Sequence, residues 1–112
     1  TGTGDLTMLG NVTAYSDIKL KDDIVKITCA LDKVLKLNGY SYTRKDTGQK
    51  QIGVIAQEVL EVIPEVVQRG VGDDDTLSVA YGNMVALLIE AIKEQQTHIN
   101  SLEEKITNLE NR

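Results

Sequence analysis

Over the last third of the chain Val85, Ile92, Ile99 and Ile106 recur every seven residues, and Leu88, Gln95, Leu102 and Leu109 follow each of them by three. These are the a and d positions of a heptad seam, and they require a helix over about residues 82–112. A chain of 112 residues buries only a modest core. It is too small to cover such a seam along its whole length, so other chains are expected to cover it. The competing reading is a single surface helix packed on its own domain. In a parallel, in-register arrangement a g residue meets the e residue five positions on in a neighbour, which pairs Lys105 with Glu110 and His98 with Glu103. β-branched residues at a with Leu at d lean towards two chains, and Gln95 adds one polar layer that fixes register. His98 falls on the exposed flank of the seam, where a structural role outweighs metal binding.

Upstream of the seam the fold class reads as α+β, a small helix-rich domain with a short β-hairpin. Residues 1–15 are rich in Gly and Thr and carry no helical period, so they read as loop or edge strand at the end of another domain. From Asp22 to Leu37, Ile24, Ile27, Leu31, Val34 and Leu35 recur at helical spacing, and Asn38-Gly39 supplies a stop. Residues 39–45 and 51–55 alternate as two strands around the turn Asp46-Thr47-Gly48. A second helix is expected from Ala56 to Ile63, ended by Pro64. Residues 64–68 then read as extended, Gly70 to Asp75 as a polar loop and Leu77 to Tyr81 as strand-like.

Several functions are set aside by composition. The formal net charge of -5, without a cluster of Lys and Arg, argues against a nucleic-acid or anionic-membrane partner. With four Tyr and no Phe or Trp, a large aromatic-lined ligand pocket is not expected. The single Cys29 supports neither a disulfide framework nor a thiolate zinc site, and reads as a small buried hydrophobe. Gly2 and Gly4 lack a phosphate-binding context. Asp73, Asp74 and Asp75 lack the spacing of a calcium loop and read as solvated acids. No metal or other cofactor is therefore expected. No apolar run is long enough to span a bilayer, and nothing resembles a signal peptide. The chain starts without Met, as a piece of a longer protein would.

Chemistry concentrates in Ser16-Asp17-Ile18-Lys19-Leu20-Lys21. A serine nucleophile needs a base, and the sole histidine lies on the distal helix, so only a Ser-Lys arrangement serves here. The lysine must then lose its proton near neutral pH, through partial burial or a neighbouring cation such as Lys19, with Asp17 opposing. By spacing alone a Ser followed by Asp at a helix entry is more often a cap or turn.

The hexapeptide is followed, in order, by Gly53-Val-Ile-Ala-Gln-Glu-Val59, by Ile63-Pro-Glu-Val-Val67, and by Val79-Ala-Tyr81 leading into Leu87-Leu-Ile-Glu-Ala-Ile-Lys-Glu94. Together these blocks resemble the intramolecular chaperone domain of phage tailspikes and tail fibres, the peptidase S74 family, which is also similar to a self-cleaving segment of myelin regulatory factor proteins. The resemblance implies three chains in a parallel trimeric coiled coil rather than two. It divides the chain into residues 1–15, the end of an upstream fibre, and residues 16–112, a chaperone autoprotease. It further implies a homotrimer that assists folding of the upstream fibre and then cuts Tyr15-Ser16, with Ser16 as nucleophile and Lys21 as general base. Where the family commonly has Arg this chain has Lys19, which keeps the charge and loses the planar fork. The setting would be the host cytoplasm during virion assembly, with the domain shed from the mature fibre. The alternative is a trimerisation clamp without catalysis, and a nucleic-acid-binding fragment is weaker for want of a basic patch.

Overall fold

The computed structural model describes residues 5–70 and 75–112. Gly2, Gly4, Asp73 and Asp74, weighed above for nucleotide or cation binding, lie outside them. In chain order the elements are α1 (Ala30–Leu35), β1 (Tyr40–Thr43), β2 (Lys50–Gly53), α2 (Ala56–Val62), β3 (Val67–Arg69), β4 (Leu77–Val79) and α3 (Met84–Glu110). Single 3-10 turns occupy Ile18–Leu20, Pro64–Val66 and Tyr81–Asn83. The architecture is α+β, with two small antiparallel hairpins and a long C-terminal helix.

The first hairpin pairs Tyr40 with Gly53 and Thr43 with Lys50. Its turn ends in Gly48 at φ 73°, a left-handed conformation that glycine enters without a Cβ clash. The second hairpin pairs Val67 with Val79 and Arg69 with Leu77. Its pairing was not expected from strands of three residues, which are too short to show a period. Residues 64–66 form a 3-10 turn rather than extended chain, because Pro64 fits the first position of a helical turn.

The expected helix over residues 22–37 is reduced to α1. Residues 22–28 contain no helix, and Asp23 and Cys29 both have left-handed backbone, at φ 55° and 54°. Four of the five residues from Ile24 to Thr28 are β-branched, which favours extended chain over helix. Ile24 and Val25 accordingly point to solvent, 64% and 81% exposed. Cys29 is exposed, not buried, because it precedes α1 instead of sitting on its inner face. The helix also ends before Asn38-Gly39, closing at Lys36, whose N–H bonds back to Lys33.

Ala30, Val59, Ile63, Val66, Met84, Leu87 and Ala91 form the buried core, with Ile27, Leu31, Val34, Val54 and Val79 among the residues packed around it. Leu87 and Val59 are its largest fully buried side chains, each stabilising the fold by roughly 1.5–3 kcal/mol on transfer from water. The first hairpin is tied on through polar contacts. Tyr40 Oη donates to Glu58 Oε2 at 2.9 Å, and the Val54 N–H donates to Tyr81 Oη at 3.2 Å. A Cβ on Gly53 would lie 2.6 Å from that Tyr81 oxygen, so the close approach needs glycine.

Helix α3 has two stripes. Met84, Leu87 and Ala91 are buried against the domain. One residue on, about 100° around the helix, Val85, Leu88 and Ile92 stay outside the core. The apolar seam residues from Val85 to Leu109 are 42–64% exposed, and Gln95 is exposed with them. In the single chain the helix packs on its own domain, as the surface-helix reading has it, but through Met84, Leu87 and Ala91 rather than through the seam. His98 is exposed.

At the first turn, Arg44 Nε donates to Asp46 Oδ1 at 2.9 Å and Nη2 to Oδ2 at 2.6 Å. These bonds from Arg44 lower the Asp46 carboxyl from 3.8 to about 2. Its contribution to stability is complete above 3.8 and is lost as pH falls through about 2, since the unfolded chain binds the proton first. An NMR titration of the Asp46 carboxyl should give a midpoint of about 2, moving towards 3.8 in Arg44→Ala. A parental midpoint at 3.8 would contradict the pairing.

Candidate functional site

Ser16 and Lys21 meet because a single turn lies between them. The Asp17 carboxylate accepts the Lys19 N–H at 3.0 Å, and the N–H groups of Leu20 and Lys21 bond to the carbonyls of Asp17 and Ile18, each at 3.0 Å. This closes the 3-10 turn Ile18–Leu20. The cap of the turn is Asp17 rather than Ser16, which leaves the serine hydroxyl free for another partner. That partner is Lys21, whose Nζ donates to Ser16 Oγ at 2.7 Å and to the Ser16 carbonyl at 2.9 Å. Both side chains are exposed in the single chain.

The contact supports one kind of chemistry. A neutral amine at the Lys21 position would accept the hydroxyl proton over the same 2.7 Å, within the reach required of a general base. The second bond, to the Ser16 carbonyl, fixes the amine on the downstream side of the Tyr15-Ser16 bond. Among the described residues no hydrogen bond reaches the Tyr15 carbonyl, so the hydroxyl–amine contact stands without a donor aimed at that carbonyl.

Tyr15, Ser16 and Lys21 border a groove of about 780 Å³. Its other walls are the segment carrying Lys26, Ile27 and Thr28, Lys33 of α1, and the base of α3 with Asn83, Val85 and Ile89. Val85, the first a position of the seam, therefore faces the same space as the dyad. A second groove of about 810 Å³ lies between the hairpins, lined by Tyr42, Arg44, Ile52, Leu77 and Tyr81. It contains neither Ser16 nor Lys21, and the first groove is the candidate site because the hydroxyl–amine contact is there. Among the described residues no three His, Cys, Asp or Glu side chains gather where a metal ion would sit.

The other seam positions, Leu88, Ile92, Gln95, Ile99, Leu102, Ile106 and Leu109, run up α3 away from the groove. The structure thus brings Tyr15, Ser16 and Lys21 together with Val85 and leaves the remaining seam residues apart. Sequence reasoning missed Lys26, Lys33, Asn83 and Ile89 as groove residues, because they come from separate segments with no shared spacing.

Peptidase_S74, described as the chaperone of endosialidase, matches residues 16–68. The long tail fiber protein Gp37 of Enterobacteria phage K3 is 34% identical over 92% of this chain and 9% of its own length. The Gp37 of Enterobacteria phage T2 matches to the same extent. That of Enterobacteria phage M1 is 35% identical over 65% of this chain and 32% of its own length. The chain thus spans about 9% of the length of the first two relatives.

The Asp17 cap gives a direct test of how the dyad is built. Asp17→Ala should destabilise the Ile18–Leu20 turn by about 1 kcal/mol, seen as faster exchange of the Lys19 amide, whereas Asp17→Asn should keep it. Unchanged Lys19 exchange in Asp17→Ala would show that the turn does not depend on the carboxylate.

Proposed function

The chain belongs to the Peptidase_S74 family through residues 16–68, and from that premise we propose that it is the self-releasing chaperone of a phage tail fibre. Three copies assemble in parallel through the α3 seam, hold the upstream fibre strands in register, and then cut Tyr15-Ser16. The observation that carries this reading is the 2.7 Å contact between Lys21 Nζ and Ser16 Oγ, directly after the bond to be cut.

The step balances within the chain. Neutral Lys21 takes the proton from Ser16 Oγ, and the oxygen attacks the Tyr15 carbonyl carbon. The tetrahedral centre collapses by breaking the bond to the Ser16 nitrogen, which receives the proton from Lys21. Tyr15 is left as an ester on Ser16 Oγ, and water hydrolyses that ester to a Tyr15 carboxylate and a free Ser16 hydroxyl. Groups from a neighbouring copy assisting a direct attack are the second route to the same products.

Assembly and chemistry share the groove. Val85 and Ile89 line it and are half exposed, so a second copy seated on the seam covers the mouth beside the dyad. That removes water from the dyad, and it offers donors to the Tyr15 carbonyl. Release then follows correct assembly. For the fibre, joining the chain ends first raises the local concentration of strands whose non-local pairing is slow. Cutting afterwards removes the place where unzipping starts, which leaves the fibre kinetically trapped. The fibre relatives support a viral protein, and the proposal has it act in the host cytoplasm during assembly, with this domain then shed.

A clamp that only trimerises is favoured by the solvent exposure of both dyad side chains. Intact mass separates the two readings, on this chain carrying a longer stretch of upstream fibre. The parent should release a fragment beginning at Ser16, and neither Ser16→Ala nor Lys21→Ala should release it. A parent that assembles, supports a folded fibre and stays whole leaves the clamp.

A further inference from the structure

Helix α1 has no cap of its own. Cys29 precedes it in left-handed conformation (φ 54°, ψ 36°) and makes no side-chain bond to it, which would leave the first N–H groups without acceptors. Ala30 is fully buried, so water is no substitute. The acceptors come from α3, 64 residues on. Glu94 Oε2 takes the Ala30 N–H at 2.8 Å, and Oε1 takes the Leu31 N–H at 3.0 Å. Among the described residues no other hydrogen bond joins α1 to α3. The bonds from Leu31 and Ala30 hold the Glu94 carboxyl below its ordinary range, against a smaller cost of desolvation, with His98 adding to the same direction.

This contact joins α1 to α3 without lining the dyad groove itself. The groove is bordered by the segment from Tyr15 to Thr28, by Lys33 of α1, by the turn from Ile63 to Val66 and by the base of α3. Residues 22–28 contain no helix or strand and, among the described residues, make no hydrogen bond. Downstream of Lys21 the chain is first fixed at half-buried Ile27 and at Ala30. The position of the Ser16–Lys21 pair against α3 therefore depends on how α1 is held to α3.

We infer that Glu94 is a positioning residue for the cut at Tyr15-Ser16, a role that rests on the peptidase reading above. Its carboxylate touches neither reacting atom. It acts through α1, setting where the segment carrying the dyad lies against the helix that carries the seam.

The test uses the chain with its upstream fibre, comparing the parent with Glu94→Ala, Glu94→Gln and the exposed neighbour Lys93→Ala. Release at Ser16 is timed by intact mass, protection of the Ala30 and Leu31 amides is read by hydrogen exchange, and assembly by sedimentation. Glu94→Ala should assemble, lose protection at both amides, and release the fragment about tenfold more slowly or worse, as misplaced reacting groups do. Glu94→Gln keeps one acceptor and should fall between it and the parent, while Lys93→Ala should match the parent. Parental release by Glu94→Ala with protection lost would overturn the role while leaving the peptidase reading intact. If Glu94→Ala fails to assemble, the Gln variant decides, and its assembling and releasing at the parental rate also overturns the role. A parent that stays whole overturns both readings.

Discussion

A helix of 27 residues is about 40 Å long, and a core of seven buried residues covers only its first turns. That mismatch governs the rest of the molecule. The domain takes Met84, Leu87 and Ala91, the stripe nearest its own core, and the heptad stripe beside it stays outside. The seam side chains are thus left free of the domain, and the proposed assembly would not compete with the core for them. The molecule reaches 68 Å along its longest axis as a result.

The smaller elements are arranged around the base of that helix. The hairpin of β1 and β2 is held by the Tyr81 hydroxyl just before α3, and by Glu58 on α2. Helix α1 is held by Glu94. The segment that carries Ser16 and Lys21 has no anchor of comparable kind. It is built by one 3-10 turn of its own and leans on Ile27 and α1 for its place. Dyad geometry is therefore local, while dyad environment is tertiary. Hydroxyl and amine meet within six residues, but what surrounds them depends on α3 and on whatever covers α3. That division is what the proposed mechanism calls for, in which the bond stays whole until the chains have assembled.

The same division explains what could be read from the sequence. The long helix was legible because its apolar period runs through four heptads, and α2 because Pro64 bars helix at the residue before it. The first hairpin was legible from the Asp46-Thr47-Gly48 turn. Helix α1 was overextended because Ile24, Ile27 and Leu31 match a helical period. The β-branched run from Ile24 to Thr28 and a cap from Glu94 decide its start, and the second of these has no local trace. Cys29 was misplaced for the same reason. The pairing of β3 with β4 joins strands too short for a pattern. In the site, the Ser16–Lys21 spacing was visible, but the turn that makes it a contact rests on Asp17, and the opposite groove wall comes from far along the chain.

If the cut waits for assembly on the exposed face of α3, as proposed, the rate of release depends on chain concentration. The precursor, carrying its upstream fibre, would be made by cell-free synthesis over a dilution series, with sedimentation reporting the number of chains together. Release should be slow where the chains are single, rise as they assemble, and level off once assembly is complete. The same first-order rate at every dilution, including those where all chains are single, would contradict the proposal.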